Sequence, residues 1–414
     1  MALNVELAAS QKDVNTFSDQ DDEDDQGLAT FAEVNHESPL SSKQDPWTLE
    51  TSIDFEHKTS NFNPIERYRP VEFNRQWNRQ LSNTRFQNQN KIENLGNVSV
   101  GIEKNDFLAA GYEIGSFLRG EKFEGWSHRA HVDLDYQKYH FKGSTDFTDV
   151  SIAEDNVSRE KNFSVQDLHL SRDFAWFTLG TNYHREVTKH GFNNSSLLDS
   201  TSFRFIEWEV FAENPDTLRN KYRLSFARRN DFIANQENFA PASTSDNISL
   251  KTQLIKDPNH QLNWTIKYRI FNNKDTVITQ QQQDQNAILN RLETKHNFFD
   301  DFIETSIYYQ IGTGKERKTE HQFVKVRSDG QGNYVWEDFN DNGTQELNEF
   351  KEATTANKHR ADYIRIVTPT DKFRKSISNE YNQSLSIDFG SIIDRKEGLT
   401  GFLSKISNET SYRV

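Results

Sequence analysis

Apolar residues recur at every second position in several segments of the chain. In one of them Leu262, Trp264 and Ile266 alternate with Asn263, Thr265 and Lys267. The same alternation runs through residues 131–136, 221–226 and 303–311. A period of two is the side-chain period of a β-strand, so these segments are predicted to be strands with one apolar face and one polar face.

The connections between these segments alternate in length. Short turns centre on Asp173, Pro215, Pro258 and Asp300, which by subtraction lie 42 to 43 residues apart. Longer polar stretches cover residues 189–201, 232–245 and 272–285. Two strands of roughly ten residues, one tight turn and one long loop per repeat are typical of an outer-membrane β-barrel. The predicted fold is all-β: an antiparallel meander of long hairpins, forming a barrel or a barrel-like sheet with long polar loops.

A sheet with one buried face would show the same alternation, so an elongated soluble sheet is the alternative. Trp176 and Trp264 follow short turns, where a membrane-interface aromatic would lie. Against a barrel, the mean hydropathy is -0.89. Arg291 also lies near Leu289, and an arginine facing the middle of a bilayer costs about 2 to 4 kcal/mol.

Length and composition narrow the class of protein. The strand pattern crosses all 414 residues without an obvious linker, which predicts a single antiparallel β-unit over residues 1–414. The chain has no Cys, which excludes disulfides and thiolate metal sites. A net charge of -14 argues against nucleic acid as a partner. No run of eighteen apolar residues occurs, so any contact with membrane lipid must come from strands.

The start of the chain and three further segments depart from the strand pattern. Residues 1–11 lack the basic start and apolar run of a secretory signal, so we expect a mature form or a fragment. Residues 12–26 are rich in Asp and are interpreted as an acidic hairpin loop or a free tail. Residues 63–78 contain two Pro and no period, which indicates a structured crossover, and residues 280–283 form a Gln tract expected at a loop tip.

One motif carries specific chemistry. The pattern D-x-[DN]-x-[DN]-G-x5-E is matched by Asp338, Asn340, Asn342, Gly343 and Glu349. In such a loop the side-chain oxygens at positions one, three and five wrap a calcium ion, and the glycine at position six permits the sharp turn. A carboxylate at position twelve closes the shell from two oxygens.

The predicted calcium ligands are Asp338, Asn340, Asn342, Thr344, Glu346 and Glu349. Thr344 would contribute its backbone carbonyl, and Glu346, at position nine, would act through water. Residues 332–337 have the composition of a strand rather than of an entering helix, so residues 332–350 are predicted to be a calcium-loop insertion and not an EF-hand. The alternative is an Asn-Gly turn in an exposed hairpin, which would also explain Asn342 and Gly343.

Other motifs are weaker. Residues 312–315 resemble part of a phosphate-binding loop, but Tyr309 and Glu316 replace the glycine and the hydroxyl residue that such a loop needs. His128 and His131 are three apart, which on a strand places them on opposite faces. No catalytic motif of the hydrolase, metalloprotease or dinucleotide-binding type occurs. The sequence therefore predicts a protein that is not an enzyme.

Several patches resemble the C-terminal portion of large, functionally uncharacterised cell-envelope proteins of Bacteroidota. They are residues 15–18 with the acidic stretch and Gly27 after them, residues 66–73, and residues 332–370 with Tyr334, Trp336, Asp338, Phe350 and Tyr363. The resemblance implies a long, strand-rich protein at the outer membrane. It also implies that the acidic segment is a hairpin tip and that an upstream portion precedes this chain.

The expected function follows from these patterns. We expect a barrel-like protein in the outer membrane or at the cell surface of a Gram-negative bacterium, in contact with outer-membrane lipid and with envelope protein partners. Its polar strand faces would line water, so it would act as a pore or handle an envelope substrate, with calcium ordering one loop. The alternative is a soluble cell-surface sheet that binds a protein or a glycan, and a third is a calcium-stabilised secreted enzyme.

Overall fold

The structure is a computed structural model, and it describes residues 1–12, 25–41, 47–66, 68–70, 72–77, 91–105, 107–154, 157–192, 195–215, 217–274, 285–326, 330–393 and 398–414. The predictions for the acidic residues 13–24 and the Gln tract 280–283 lie outside this part of the chain. None of the helices in the described ranges is both long enough and apolar enough to cross a membrane.

Strands dominate the described residues. The first ten are β1 (Ala2–Gln11), β2 (Gln26–Pro39), β3 (Thr48–Lys58), β4 (Glu93–Lys104), β5 (Leu108–Arg119), β6 (Phe123–Tyr136), β7 (Tyr139–Glu154), β8 (Val157–Asp173), β9 (Thr178–Phe192) and β10 (Ser195–Leu198). The others are β11 (Phe203–Glu213), β12 (Lys221–Asn235), β13 (Asn238–Asp257), β14 (His260–Asn273), β15 (Gln285–Phe298), β16 (Ile303–Lys325), β17 (Tyr334–Trp336), β18 (Phe350–Glu352), β19 (Tyr363–Asp388) and β20 (Ser407–Arg413).

Helices are short. They are α1 (Phe73–Gln76) and α2 (Leu399–Leu403), with 3-10 turns at Leu347–Glu349, Lys358–Arg360 and Phe389–Ser391.

The strands pair as an antiparallel meander. Each long strand pairs with its sequence neighbour, from β1 with β2 through to β15 with β16. The short strand β10 is passed over, so that β9 pairs with β11, and β16 pairs with β19 across the β17–β18 hairpin. The all-β meander of long hairpins predicted from the sequence is confirmed. Within the described residues no pairing joins β1 to β20.

The predicted turns lie together at one end of the sheet. Asp173 ends β8, and Pro215, Pro258 and Asp300 fall in the connections after β11, β13 and β15. Because neighbouring strands are antiparallel, these connections lie at one rim, which we name the turn rim. The connections after β1, β3, β9, β14 and β16 lie at the opposite rim, which we name the loop rim.

Two details differ from the sequence-based expectation. Strands are longer than the ten residues expected, with 20 in β13 and 26 in β19. The polar stretch 232–245, expected to be a loop, forms the paired ends of β12 and β13 around a two-residue turn, with Ile233 opposite Ala240. Polar strand ends can pair as well as apolar ones, because the ladder is made by the backbone. Hydrophobic alternation therefore underestimates strand length.

The strand register shows that Arg291 lies on the polar side of the sheet. Arg291 lies opposite Thr265 and Gln310, whereas the apolar neighbours Ile288 and Leu292 point to the other side of the sheet. Leu289 shares the side of Arg291, so the interpretation that Arg291 interrupts the apolar face is wrong. The sequence-based expectation places Leu289 on the apolar face, whereas Ile288 and Leu292 form it. A shift of one residue along a strand moves every side chain to the other face.

Candidate functional site

The predicted calcium loop lies at the loop rim, between β17 and β18. Tyr334 lies opposite Glu352 and Trp336 opposite Phe350, so the two short strands hold the ends of the loop together. Below them, the Phe323 ring stacks on the Phe350 ring with centroids 4.0 Å apart, and the Tyr334 ring packs edge-on at 4.9 Å. Residues 332–337 contain a strand, as predicted, and not an entering helix.

The first half of the loop winds around its own side-chain oxygens. The backbone N–H of Gly343 donates to Asp338 Oδ2 at 2.7 Å, and the N–H of Thr344 donates to Asn342 Oδ1 at 2.6 Å. The N–H of Asn342 donates to Asn340 Oδ1 at 3.1 Å. Gly343 has a φ of +68°, a backbone conformation that favours glycine. The structure thus brings Asp338, Asn340 and Asn342 into one turn.

Glu346 belongs to the same group of oxygens. The side-chain amides of Asn340 and Asn342 donate to its carboxylate at 3.4 and 3.5 Å. Each of these side chains has oxygen lone pairs beyond those used within the loop. The donor set consists of oxygen alone, which suits Ca2+ and does not suit a soft metal.

The Glu349 carboxylate also accepts hydrogen bonds within the loop, which the motif does not show. Its side chain is fully buried, and Trp336 Nε1–H donates to Oε2 at 2.9 Å. The backbone N–H of Glu346 also donates to Oε2, at 3.2 Å, and that of Phe339 donates to Oε1 at 3.2 Å. Three of about four lone-pair positions are therefore in use. Glu349 closes the loop by itself, and its role as a bidentate calcium ligand stays a prediction.

In the described ranges, this loop included, no three acidic or histidine side chains converge as a metal-binding cluster. His128 and His131 lie on opposite faces of β6, as their spacing predicts. His128 Nδ1 lies 2.6 Å from the Tyr112 hydroxyl on one face. The His131 ring lies over Gly111 on the other, so close that an added Cβ would be 2.4 Å from it.

The polar face of the sheet carries a recess that sequence reasoning missed. It measures about 660 Å3 and is lined by strands β1 to β7. Its charged lining residues are Glu37, Glu50, Glu103, Glu113, Asp146 and Arg129. Arg129 donates to Glu113 at 2.8 Å. The recess is therefore net acidic, which attracts cations. Carboxylates are so frequent in this chain that only the fold shows which of them meet.

A segment between β3 and β4 packs on the same polar face. Phe73 and Trp77 bury their rings against Phe117 and Val150, which together form the main apolar cluster among the described residues. The neighbouring Tyr68 is about half exposed, and the partial loss of hydration raises the pKa of its hydroxyl. Sequence analysis predicted a structured crossover over residues 63–78. The packing confirms that the described residues are structured, but they lie between β3 and its antiparallel neighbour β4, so the prediction of a crossover is wrong.

Comparison with known proteins gives a distant likeness. No family model and no curated protein matches the chain. Among solved structures, the chain is similar to the siderophore receptor PirA from Acinetobacter baumannii, with 10% sequence identity and a TM-score of 0.40. The match covers 94% of this chain and 60% of that one, so this chain spans about 60% of the length of that receptor. The function must therefore be argued from the chain's own residues.

Proposed function

We propose that this chain forms the wall of an outer-membrane β-barrel in a Gram-negative cell envelope. The protein is not an enzyme, and it passes or handles an envelope substrate along its polar face. A calcium ion binds the loop from Asp338 to Glu349 at the loop rim and stabilises it further.

The observation that supports the barrel is an exposed apolar surface across the sheet. Val210, Phe226, Ile248, Tyr268 and Ile288 lie opposite one another in register across five strands. Exposed apolar side chains of the same face occur along most of the long strands, including Leu3, Val5, Leu7, Ile53, Phe55, Val98, Val100, Tyr112, Trp126, Phe147, Leu168, Leu170, Trp208, Leu224, Trp264, Ile377 and Tyr412. Soluble monomers rarely expose an apolar patch larger than a few hundred Å2, so this face calls for a lipid environment.

The opposite face has the chemistry of a water-filled interior. In the row next to the apolar one, Glu209, Asn247 and Arg269 point to the polar side. Ion pairs cross between strands on this side, including Arg129 with Glu113 at 2.8 Å and Arg223 with Glu213 at 2.8 Å. Apolar residues facing lipid and polar residues facing a lumen, in alternation, are the pattern of transmembrane barrels.

Strand length fits the same proposal. A tilted strand crosses the hydrocarbon layer with about 9 to 11 residues. β16 has 23 residues and β19 has 26, so their paired ends would extend past the membrane and carry the calcium loop away from it. Residues 315–322 of β16 are exposed and mostly charged or polar, as a hairpin in water requires.

Detergent partition tests the barrel. The full chain is refolded with and without micelles, and β-structure is followed by circular dichroism together with a heat-modifiable gel band. β-structure that forms only in micelles supports the proposal. A monodisperse, folded protein in plain buffer would contradict it and favour the soluble surface protein that binds a protein or glycan partner. Repeating the thermal melt with calcium and with a chelator tests the loop separately.

A further inference from the structure

Part of the segment between β3 and β4 lies across the polar face of the sheet. We name residues 68–70 and 72–77 the strap. Its helix α1 places Phe73 over Phe117, with ring centroids 5.3 Å apart, and Trp77 over the same ring at 5.2 Å. Trp77 is only 2% exposed, so the strap is seated on the sheet and does not extend into solvent.

The near end of the strap is tied to the strands it comes from. Arg69 donates two hydrogen bonds to the Glu56 carboxylate, at 2.9 and 2.6 Å. It also lies 3.6 Å from Glu93. Glu56 is on β3 and Glu93 begins β4, so this contact fixes the base of the strap and does not span the face.

The far end reaches a different part of the sheet. Arg75 forms an ion pair with Glu186 on β9, a residue 111 positions away. Strands β5 to β8 lie between β4 and β9, so the strap crosses them. Glu186 is 2% exposed, whereas Arg75 keeps half of its side chain in solvent. Release of Arg75 would leave a buried carboxylate without this cation, which holds the strap down.

The sheet is shaped to receive the indole ring. Gly125 on β6 lies directly beneath Trp77, and a Cβ added there would be 2.8 Å from Trp77 Cε3. Any larger residue would push the ring off its seat. By contrast, a Cβ added at Gly312 on β16 would meet only ordinary contacts at 3.6 Å or more.

The strap lies between the loop rim and the acidic recess. Phe117, which it covers, is two residues from the loop-rim end of β5. Gly111, which lines the recess, is six residues further along that strand, or about 20 Å at ~3.4 Å per residue. A solute that enters from the loop rim along this part of the polar face therefore meets the strap before it reaches the recess.

We propose that the strap is a constriction on the polar face and that the Arg75–Glu186 ion pair is its catch. Closed, the strap blocks passage from the loop rim to the recess. Opening requires that the catch breaks and Trp77 leaves its seat, while Arg69 keeps the base attached. This inference rests on the proposed function, because a constriction has meaning only if solute passes along the polar face.

The test measures ion conductance of the full chain in planar lipid bilayers. The double variant Arg75→Gln/Glu186→Gln removes the catch without leaving a lone buried charge, and its conductance should rise several-fold. The matched control is Arg228→Gln/Asp246→Asn, which removes a bidentate ion pair on the other face and should change nothing. Gly125→Val should act like the catch variant, and Gly312→Ala should act like the parent protein.

Two further measurements separate the outcomes. Because the chain has no Cys, Arg75→Cys/Glu186→Cys can be joined by a short bifunctional maleimide, which should keep conductance low. Hydrogen exchange over residues 72–77 reports whether the strap has left the sheet. Conductance that stays at the parent level while exchange shows a released strap would overturn the constriction, and a strap that stays protected in the catch variant would overturn the catch. A chain that fails to partition into micelles would overturn the barrel itself, which is a different result.

Discussion

The indole of Trp336 donates a hydrogen bond to the buried carboxylate of Glu349 at 2.9 Å. This bond joins the last residue of β17 to the residue at position twelve, which closes the predicted calcium loop. The same carboxylate accepts two backbone N–H groups, so one side chain holds both halves of the loop. The loop is thus ordered by its own hydrogen bonds, and calcium would add to an arrangement that already exists.

Substitution of Glu349 should destabilise the loop even in the presence of a chelator. Glu349→Gln replaces one acceptor oxygen by an NH2 group where three N–H donors point, and a buried donor without an acceptor costs about 1 to 3 kcal/mol. Glu346→Gln is the matched control, because the exposed Glu346 accepts from the amides of Asn340 and Asn342 at 3.4 and 3.5 Å and from the backbone N–H of Glu349, and the amide oxygen of a glutamine can still accept from that N–H. Proteolysis within residues 337–349, with chelator present, should rise for Glu349→Gln and stay at the parent level for Glu346→Gln.

Calcium should bind through the other oxygens of the loop. Asp338→Asn removes one negative charge, but its remaining side-chain oxygen can still accept from the N–H groups of Asn342 and Gly343. The substitution should therefore lower calcium affinity more than it lowers the stability of the loop. Isothermal titration should show weaker calcium binding for Asp338→Asn than for Glu346→Gln, because Glu346 is expected to contact calcium only through water. An unchanged affinity in Asp338→Asn would contradict the assigned ligands.

The apolar face should reject charge where the polar face accepts it. Val98 on β4 lies between Ile53 and Ile114, and Ser99 beside it faces the other way, between Ser52 and Glu113. Val98→Arg should cost about 2 to 4 kcal/mol in a bilayer, whereas Ser99→Arg meets water and an opposite charge. Unfolding from lipid vesicles by urea measures both. If Val98→Arg is as stable as Ser99→Arg, the apolar face does not contact lipid.

Features of the fold and the site that depend on residues close together in the sequence could be predicted, and those that depend on distant residues could not. The alternation at residues 262–270 and the calcium pattern at residues 338–349 are local, and both lie on the elements they predicted. The face predicted for Arg291 was wrong because apolar residues occur on both faces of β15, so the sequence does not show which of them form the apolar face. A shift of one residue exchanges the two faces of a strand. The Arg75–Glu186 pair joins residues 111 positions apart, so only the three-dimensional arrangement of β5 to β9 could show it.

The two rims should lie on opposite sides of the membrane. Leu347 at the loop rim and Trp176 at the turn rim are both well exposed, and the chain has no native Cys to interfere with labelling. In vesicles that hold the protein in one orientation, a membrane-impermeant maleimide added outside should label only one of Leu347→Cys and Trp176→Cys. The other should react after the vesicles are opened with detergent. An antiparallel meander inserted in a bilayer requires this result, because every second connection lies on the same side. Labelling of both positions in sealed, oriented vesicles would show that the sheet lies outside the bilayer, as the soluble surface protein would.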